Sequence, residues 1–120
     1  MLFRSTVRVA PPAAISVEPL KPSRNIDELG TYVRSRESQL RFCYQENGLK
    51  VNPNLAGSIT VAIEIAEGGA VRGANVTRRT WSGAGASDSE ECIIRAIRGW
   101  RFPSSAAGQG TYAFPFSFTR

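Results

Sequence analysis

Around residue 57 the chain settles into a period of two. Ile59, Val61, Ile63 and Ile65 alternate with Thr60, Ala62 and Glu64, so a strand there carries one apolar and one polar face. Glu67-Gly68-Gly69-Ala70 has the composition of a hairpin turn, and residues 71–80 return as the second strand. Val71 and Val76 cannot share a face in a regular strand, which predicts a bulge near Gly73-Ala74. Tyr112, Phe114, Phe116 and Phe118 alternate in a third strand with four rings on one side.

Two other stretches follow the helical period. Asn25-Ile26-Asp27-Glu28 starts a helix, with Asn at the cap and acids in the first turn. Ile26, Leu29, Val33, Leu40 and Cys43 then recur at three-to-four spacing, broken at Arg36, and Asn47-Gly48 supplies a left-handed stop. Ser87-Asp88-Ser89-Glu90 is a capping box for a second helix near 88–99, ended by Gly99 and Pro103. Cys92, Ile93, Ala96, Ile97 and Trp100 share its apolar face, with Glu91, Arg95 and Arg98 opposite. Residues 82–86 form a flexible loop, and the missing Gly-Lys-Ser/Thr ending argues against a phosphate loop.

The predicted order is helix-strand-strand-helix-strand. Two amphipathic helices suffice to cover one face of three strands, so the expected class is α+β: a two-layer sandwich with a three-stranded antiparallel sheet. Residues 1–24 hold four of the seven prolines and read as a linker or tail ahead of a domain at 25–120. Within that tail only Thr6-Val7-Arg8-Val9 alternates as a short strand would.

Composition narrows the function. At 120 residues and 42% hydrophobic, the chain carries one core. No apolar run approaches the roughly 18 residues that span a bilayer, and Met1-Leu2-Phe3-Arg4 opens no secretory leader. A soluble piece of a longer protein is expected. The net charge is +5, from 13 Arg and 2 Lys against 10 acids, but the basic residues never cluster in a run of four. Scattered arginines read as a solvated surface rather than a nucleic-acid footprint.

Histidine is absent. Ser-His-Asp and Cys-His catalysis lack their base, and two cysteines alone cannot complete a zinc site. The acids are dispersed. These residues point away from an enzyme, and no catalytic residue, metal site or cofactor is expected. For Cys43 and Cys92 three readings stand on the residues alone: buried thiols, a redox thiol, or a structural disulfide. Trp100-Arg101-Phe102-Pro103 reads as the seal of a core.

With these elements placed, the chain resembles the TonB carboxy-terminal-like superfamily, in its AgmX/PglI branch, over roughly residues 26–118. The resemblance rests on Arg41-Phe42-Cys43-Tyr44, Asn52-Pro53-Asn54-Leu55-Ala56-Gly57, Gly68-Gly69-Ala70-Val71, Cys92-Ile93-Ile94, Trp100-Arg101-Phe102-Pro103 and Phe114-Pro115-Phe116-Ser117-Phe118, in that order. It implies a non-enzymatic periplasmic interaction domain of a trans-envelope energy-transduction or motility complex. The parent protein would be anchored in the inner membrane outside this chain, and the partner would be an envelope protein. The oxidising periplasm favours a Cys43–Cys92 disulfide among the three readings.

The last strand then becomes the expected docking edge: Thr111, Tyr112, Ala113, Phe114, Pro115, Phe116, Ser117 and Phe118. A strand bordering the sheet leaves backbone groups for a partner strand, the binding mode associated with TonB-like domains. If Phe114 and Phe116 point inward, the backbones of Ala113, Pro115 and Ser117 face the open edge, and Pro115 removes one outward donor while leaving the sheet's own ladder intact. The competing occupant of that edge is the chain's own Thr6-Val7-Arg8-Val9. The rival reading is a homodimerisation module pairing through edge strands.

Overall fold

The computed structural model describes residues 5–17 and 20–120. In order, the chain forms β1 (Thr6–Val9), β2 (Ala13–Val17), α1 (Ile26–Ser35), α2 (Glu37–Cys43), a π-helical turn (Tyr44–Leu49), β3 (Gly57–Ile65), β4 (Val71–Arg79), α3 (Ala86–Arg98) and β5 (Gly110–Thr119). The leader reading of residues 1–4 and the proline at position 19 lie outside the described residues.

The α+β class holds, with an antiparallel sheet larger than expected. Its order is β1-β5-β3-β4, and β2 also pairs with β5. Five strands replace the predicted three. The helices meet the face formed by Ile59, Val61, Ile63 and Ile65 of β3 and by Tyr112, Phe114, Phe116 and Phe118 of β5, in one cluster with Leu29, Val33, Leu40, Ile93 and Ile97. β3 and β4 form the expected hairpin. Its register shifts twice, between Thr60 and Val61 and between Glu64 and Ile65; the second shift places Val71 opposite Ile65 and Val76 opposite Val61. The bulge thus lets both valines share a side, as their spacing required.

The first predicted helix is divided. Asn25 caps α1, its Oδ1 accepting the Glu28 N–H at 3.0 Å. At Arg36 the backbone leaves the helix (φ −107°, ψ 5°), and its guanidinium lies 5.1 Å from the centre of the Tyr32 ring. After Cys43 the winding widens through Tyr44–Leu49, where Tyr44, Gly48 and Leu49 are buried. The left-handed stop expected at Gly48 does not form, since Gly48 is not among the glycines with positive φ. Close approach explains that glycine instead: a Cβ there would meet Ser89 Oγ at 2.7 Å and Leu55 Cδ2 at 2.9 Å.

The capping box at Ser87 is also corrected. α3 begins at Ala86 with Gly85 as its cap, at φ 85°, and no side chain among the described residues closes it. Gly85 packs so tightly on the π-helical turn that a Cβ would lie 2.9 Å from the Gly48 carbonyl oxygen. Glu90 is therefore released from capping and turns toward β4.

Cys43, at the end of α2, and Cys92, early in α3, form a disulfide with Cα atoms 5.5 Å apart. Nearby, Trp100 Nε1 donates to Gln39 Oε1 at 2.7 Å, tying α2 to the residues that follow α3. Trp81, which follows β4, is buried and stacks on Phe118 and Tyr44 at ring-centre distances of 5.0 and 6.0 Å.

Candidate interaction edges of the sheet

β5 lies between two partners. On one side β3 runs antiparallel to its full length, from Gly57 opposite Phe118 to Ile65 opposite Gly110. On the other, β1 pairs Thr6 with Thr119 through Val9 with Phe116, and β2 pairs Ala13 with Ala113 through Val17 with Gly110. The edge that a free last strand would offer is filled by the chain's own N-terminal segment. Thr6-Val7-Arg8-Val9, the competing occupant foreseen in the sequence, is the first half of that filling. Residues 6–9 and 13–17 of the expected tail are thus strands of the sheet.

Pro115 dictates how the filling is built. Its carbonyl accepts the Ala10 N–H at 3.1 Å, so the backbone of Pro115 faces β1 and β2, as alternation required. Having no N–H, Pro115 offers nothing in return, and there the covering chain passes through Ala10-Pro11-Pro12 between its two short strands. The side chains of Tyr112, Phe114, Phe116 and Phe118 are fully buried in the core. Thr111, Ala113 and Pro115 are half-buried and Ser117 is exposed.

The covering segment is held unevenly. Val7 is 7% exposed and joins the core. Gln45 Nε2 donates to Ser5 Oγ at 2.7 Å, and the hydroxyls of Thr6 and Thr119 are hydrogen-bonded. By contrast every residue of β2 is exposed, Ile15 to 57%. β2 rests almost wholly on backbone pairing.

Where the chain returns from this segment toward α1, Arg24 is buried. Its Nη1 donates to the Pro103 carbonyl at 2.7 Å, and its Nη2 reaches the carbonyls of Ala66 and Glu67 at 3.4 and 3.3 Å. Its backbone N–H donates to the Tyr112 hydroxyl at 2.8 Å. No local pattern marks this arginine, because all its acceptors are main-chain groups distant in sequence.

A second edge lies on β4, whose only strand partner among the described residues is β3. Alongside it runs α3. Glu90 accepts from Arg79 Nε and Nη2, each at 2.9 Å, and from Trp81 Nε1 at 2.7 Å. Burial by itself would raise the Glu90 carboxyl, but the hydrogen bonds from Arg79 and Trp81 and the arginine's charge outweigh it and hold the group below its usual value. The Tyr44 hydroxyl donates to the Leu55 carbonyl, and burial pushes the phenol up against the opposing charge of Arg120. Over the disulfide, Phe42 is 60% exposed beside Ser38, Gln39, Arg95 and Ala96.

Among the described residues no helix is long and apolar enough to cross a membrane. No family model, curated protein or solved structure matches the chain significantly.

Proposed function

We propose that the chain is a non-enzymatic protein–protein interaction domain of the TonB carboxy-terminal-like kind that binds an envelope partner by strand addition along β5. One observation carries the reading. The outer edge of β5 already holds an extended segment through backbone pairing, and the two-part form of that segment shows how a strand passes Pro115. A partner strand would take the place of β1 and β2, and the exposed β2 would leave first. The periplasmic setting, the anchored parent protein and the energy-transduction or motility complex follow from the motif resemblance described above.

The test uses the chain's own segment as reporter. Val7→Asp places a charge in the core contact of β1 and frees the edge. A peptide of residues 5–17 should then bind this variant in trans and bind the native chain far more weakly, since the edge is occupied there. Adding Ser117→Pro, which removes an outward N–H, should abolish the binding. Equal binding to both chains, or none to either, refutes strand addition at β5. The rival homodimerisation reading draws on the same arm: two copies that exchange β1 and β2 would form a dimer with the same contacts. Light scattering that shows a concentration-independent dimer decides for it.

A further inference from the structure

The outer edge of β4 and the adjoining stripe of α3 form a second groove, independent of β5. Its volume is about 520 Å³. One wall is Ala74, Val76 and Arg79 of β4. The other is built by residues of α3 about one turn apart, principally Glu90, Glu91, Ile94, Arg95 and Arg98. The Arg79–Glu90 contact joins the end of β4 to the first half of α3, so the two elements run in opposite directions. Their lengths match: Ala74 to Arg79 extends roughly 17 Å as a strand, and Ser87 to Arg98 rises roughly 16 Å as a helix.

The backbone of this edge is available for pairing. Pro115 turns its carbonyl toward Ala10, so its β3 neighbour Thr60 turns its own backbone toward β4. By alternation Ala62 and Glu64 do the same and pair with Asn75 and Gly73. The N–H and C=O groups of Ala74 and Val76 therefore point out of the sheet. The register shifts of β4 fall on either side of residues 73–76, which pair regularly with β3, and the strand is free of proline and lysine, two common devices that discourage edge pairing.

Charge selects the occupant. Arg79 and Glu90 neutralise one another; Arg95 and Arg98, without an ion-pair partner among the described residues, outnumber the one other acid lining the groove, Glu91, and stand at the opposite end from Arg79. A second copy fits poorly, because β4 carries Arg72, Arg78 and Arg79 and no acid, and twofold pairing would set arginines against arginines. We infer that this groove binds an extended acidic segment of a partner protein, added as a strand on β4, with its apolar side chains toward Val76 and Ile94 and its carboxylates on Arg95 and Arg98.

The probe is a capped six-residue peptide of alternating valine and glutamate, titrated into the full chain and followed by backbone amide NMR. Shifts should be confined to residues 73–76 and 94–98. The charge-reversed variant Arg95→Glu/Arg98→Glu lies on exposed positions and should bind at least about tenfold more weakly. Val76→Pro, which removes an outward N–H, should abolish binding. Because Val76 also packs against the core, its effect is read only alongside an unchanged amide spectrum elsewhere, and the arginine variant decides if that spectrum is lost. Shifts on 111–118 instead would overturn this inference while supporting strand addition at β5. Equal binding of the matching valine–lysine peptide, displacement by an oligonucleotide, or no shift at all would also overturn it.

Discussion

Breaking the Cys43–Cys92 bridge is the most informative single perturbation of stability. The bridge closes a loop with a sequence separation of 49. In the chain-entropy model a loop of that size removes enough freedom from the unfolded chain to stabilise the fold by about 4 kcal/mol at 25 °C. Domains of this size are stable by roughly 5–15 kcal/mol in total, so the loss is a large share of the whole. The native contacts between α2 and α3 survive the cut, because Leu40 and Ile93 remain in the core and Trp100 still bonds Gln39. The reduced protein should therefore be folded but markedly weaker. Urea unfolding followed by the fluorescence of the buried Trp81 and Trp100 is the assay, comparing oxidised and reduced native chain so that the atoms in the core stay the same. The reduced form should lose about 4 kcal/mol, equivalent to roughly 15–25 °C in Tm. Its unfolding slope should rise, because an unlinked chain exposes more surface. A loss below about 1 kcal/mol, with an unchanged slope, would show that the bridge constrains nothing in the unfolded state and would refute the reasoning.

Replacing Arg24 with methionine keeps much of the stem but takes the guanidinium from the Pro103 and Glu67 carbonyls, and from the Ala66 carbonyl, which keeps the Gly69 N–H; a loss of about 2–3 kcal/mol in thermal unfolding is expected, and a change within about 0.5 kcal/mol would show that the clamp is idle. Ser89 Oγ is buried without a hydrogen-bond partner among the described residues, so Ser89→Ala should be neutral or stabilising by up to about 1 kcal/mol in urea unfolding, and a clear destabilisation would reveal a partner for the hydroxyl. Glu90 has a lowered native pKa; its contribution is present above the unfolded value of about 4.3 and lost as pH falls through the native one, so native stability should decline on the acid side and Glu90→Gln should flatten that part of the profile. An identical acid decline in the variant would assign the effect to other carboxylates.

Several elements were legible because their causes are local. The alternation in β3 and β5 depends only on which side of a strand each residue faces, and it marked the buried faces correctly. Asn25 caps α1 through a bond to a residue three places on. The odd spacing of Val71 and Val76 demanded a bulge, and one of the hairpin's two register shifts lies between them. Thr6–Val9 was visible as a short alternating run, although the prolines around it argued for a tail.

What tertiary structure decided has a different physical origin. Backbone pairing is nearly blind to side chains, so nothing in Ala13–Val17 announces that it will pair with β5, or that Ala10-Pro11-Pro12 will fall opposite the missing donor of Pro115. Ser87 and Glu90 satisfy the local rule for a capping box, yet Gly85 caps α3 and Glu90 bonds Arg79 and Trp81, because a close approach to Gly48 sets the helix start. Arg24 finds its acceptors on three distant carbonyls. The sequence alone determined which faces must be buried, since burial follows from periodicity. Which edges are filled, and which polar side chains meet, was decided only when distant segments came together, since hydrogen-bond partners are chosen by position in space.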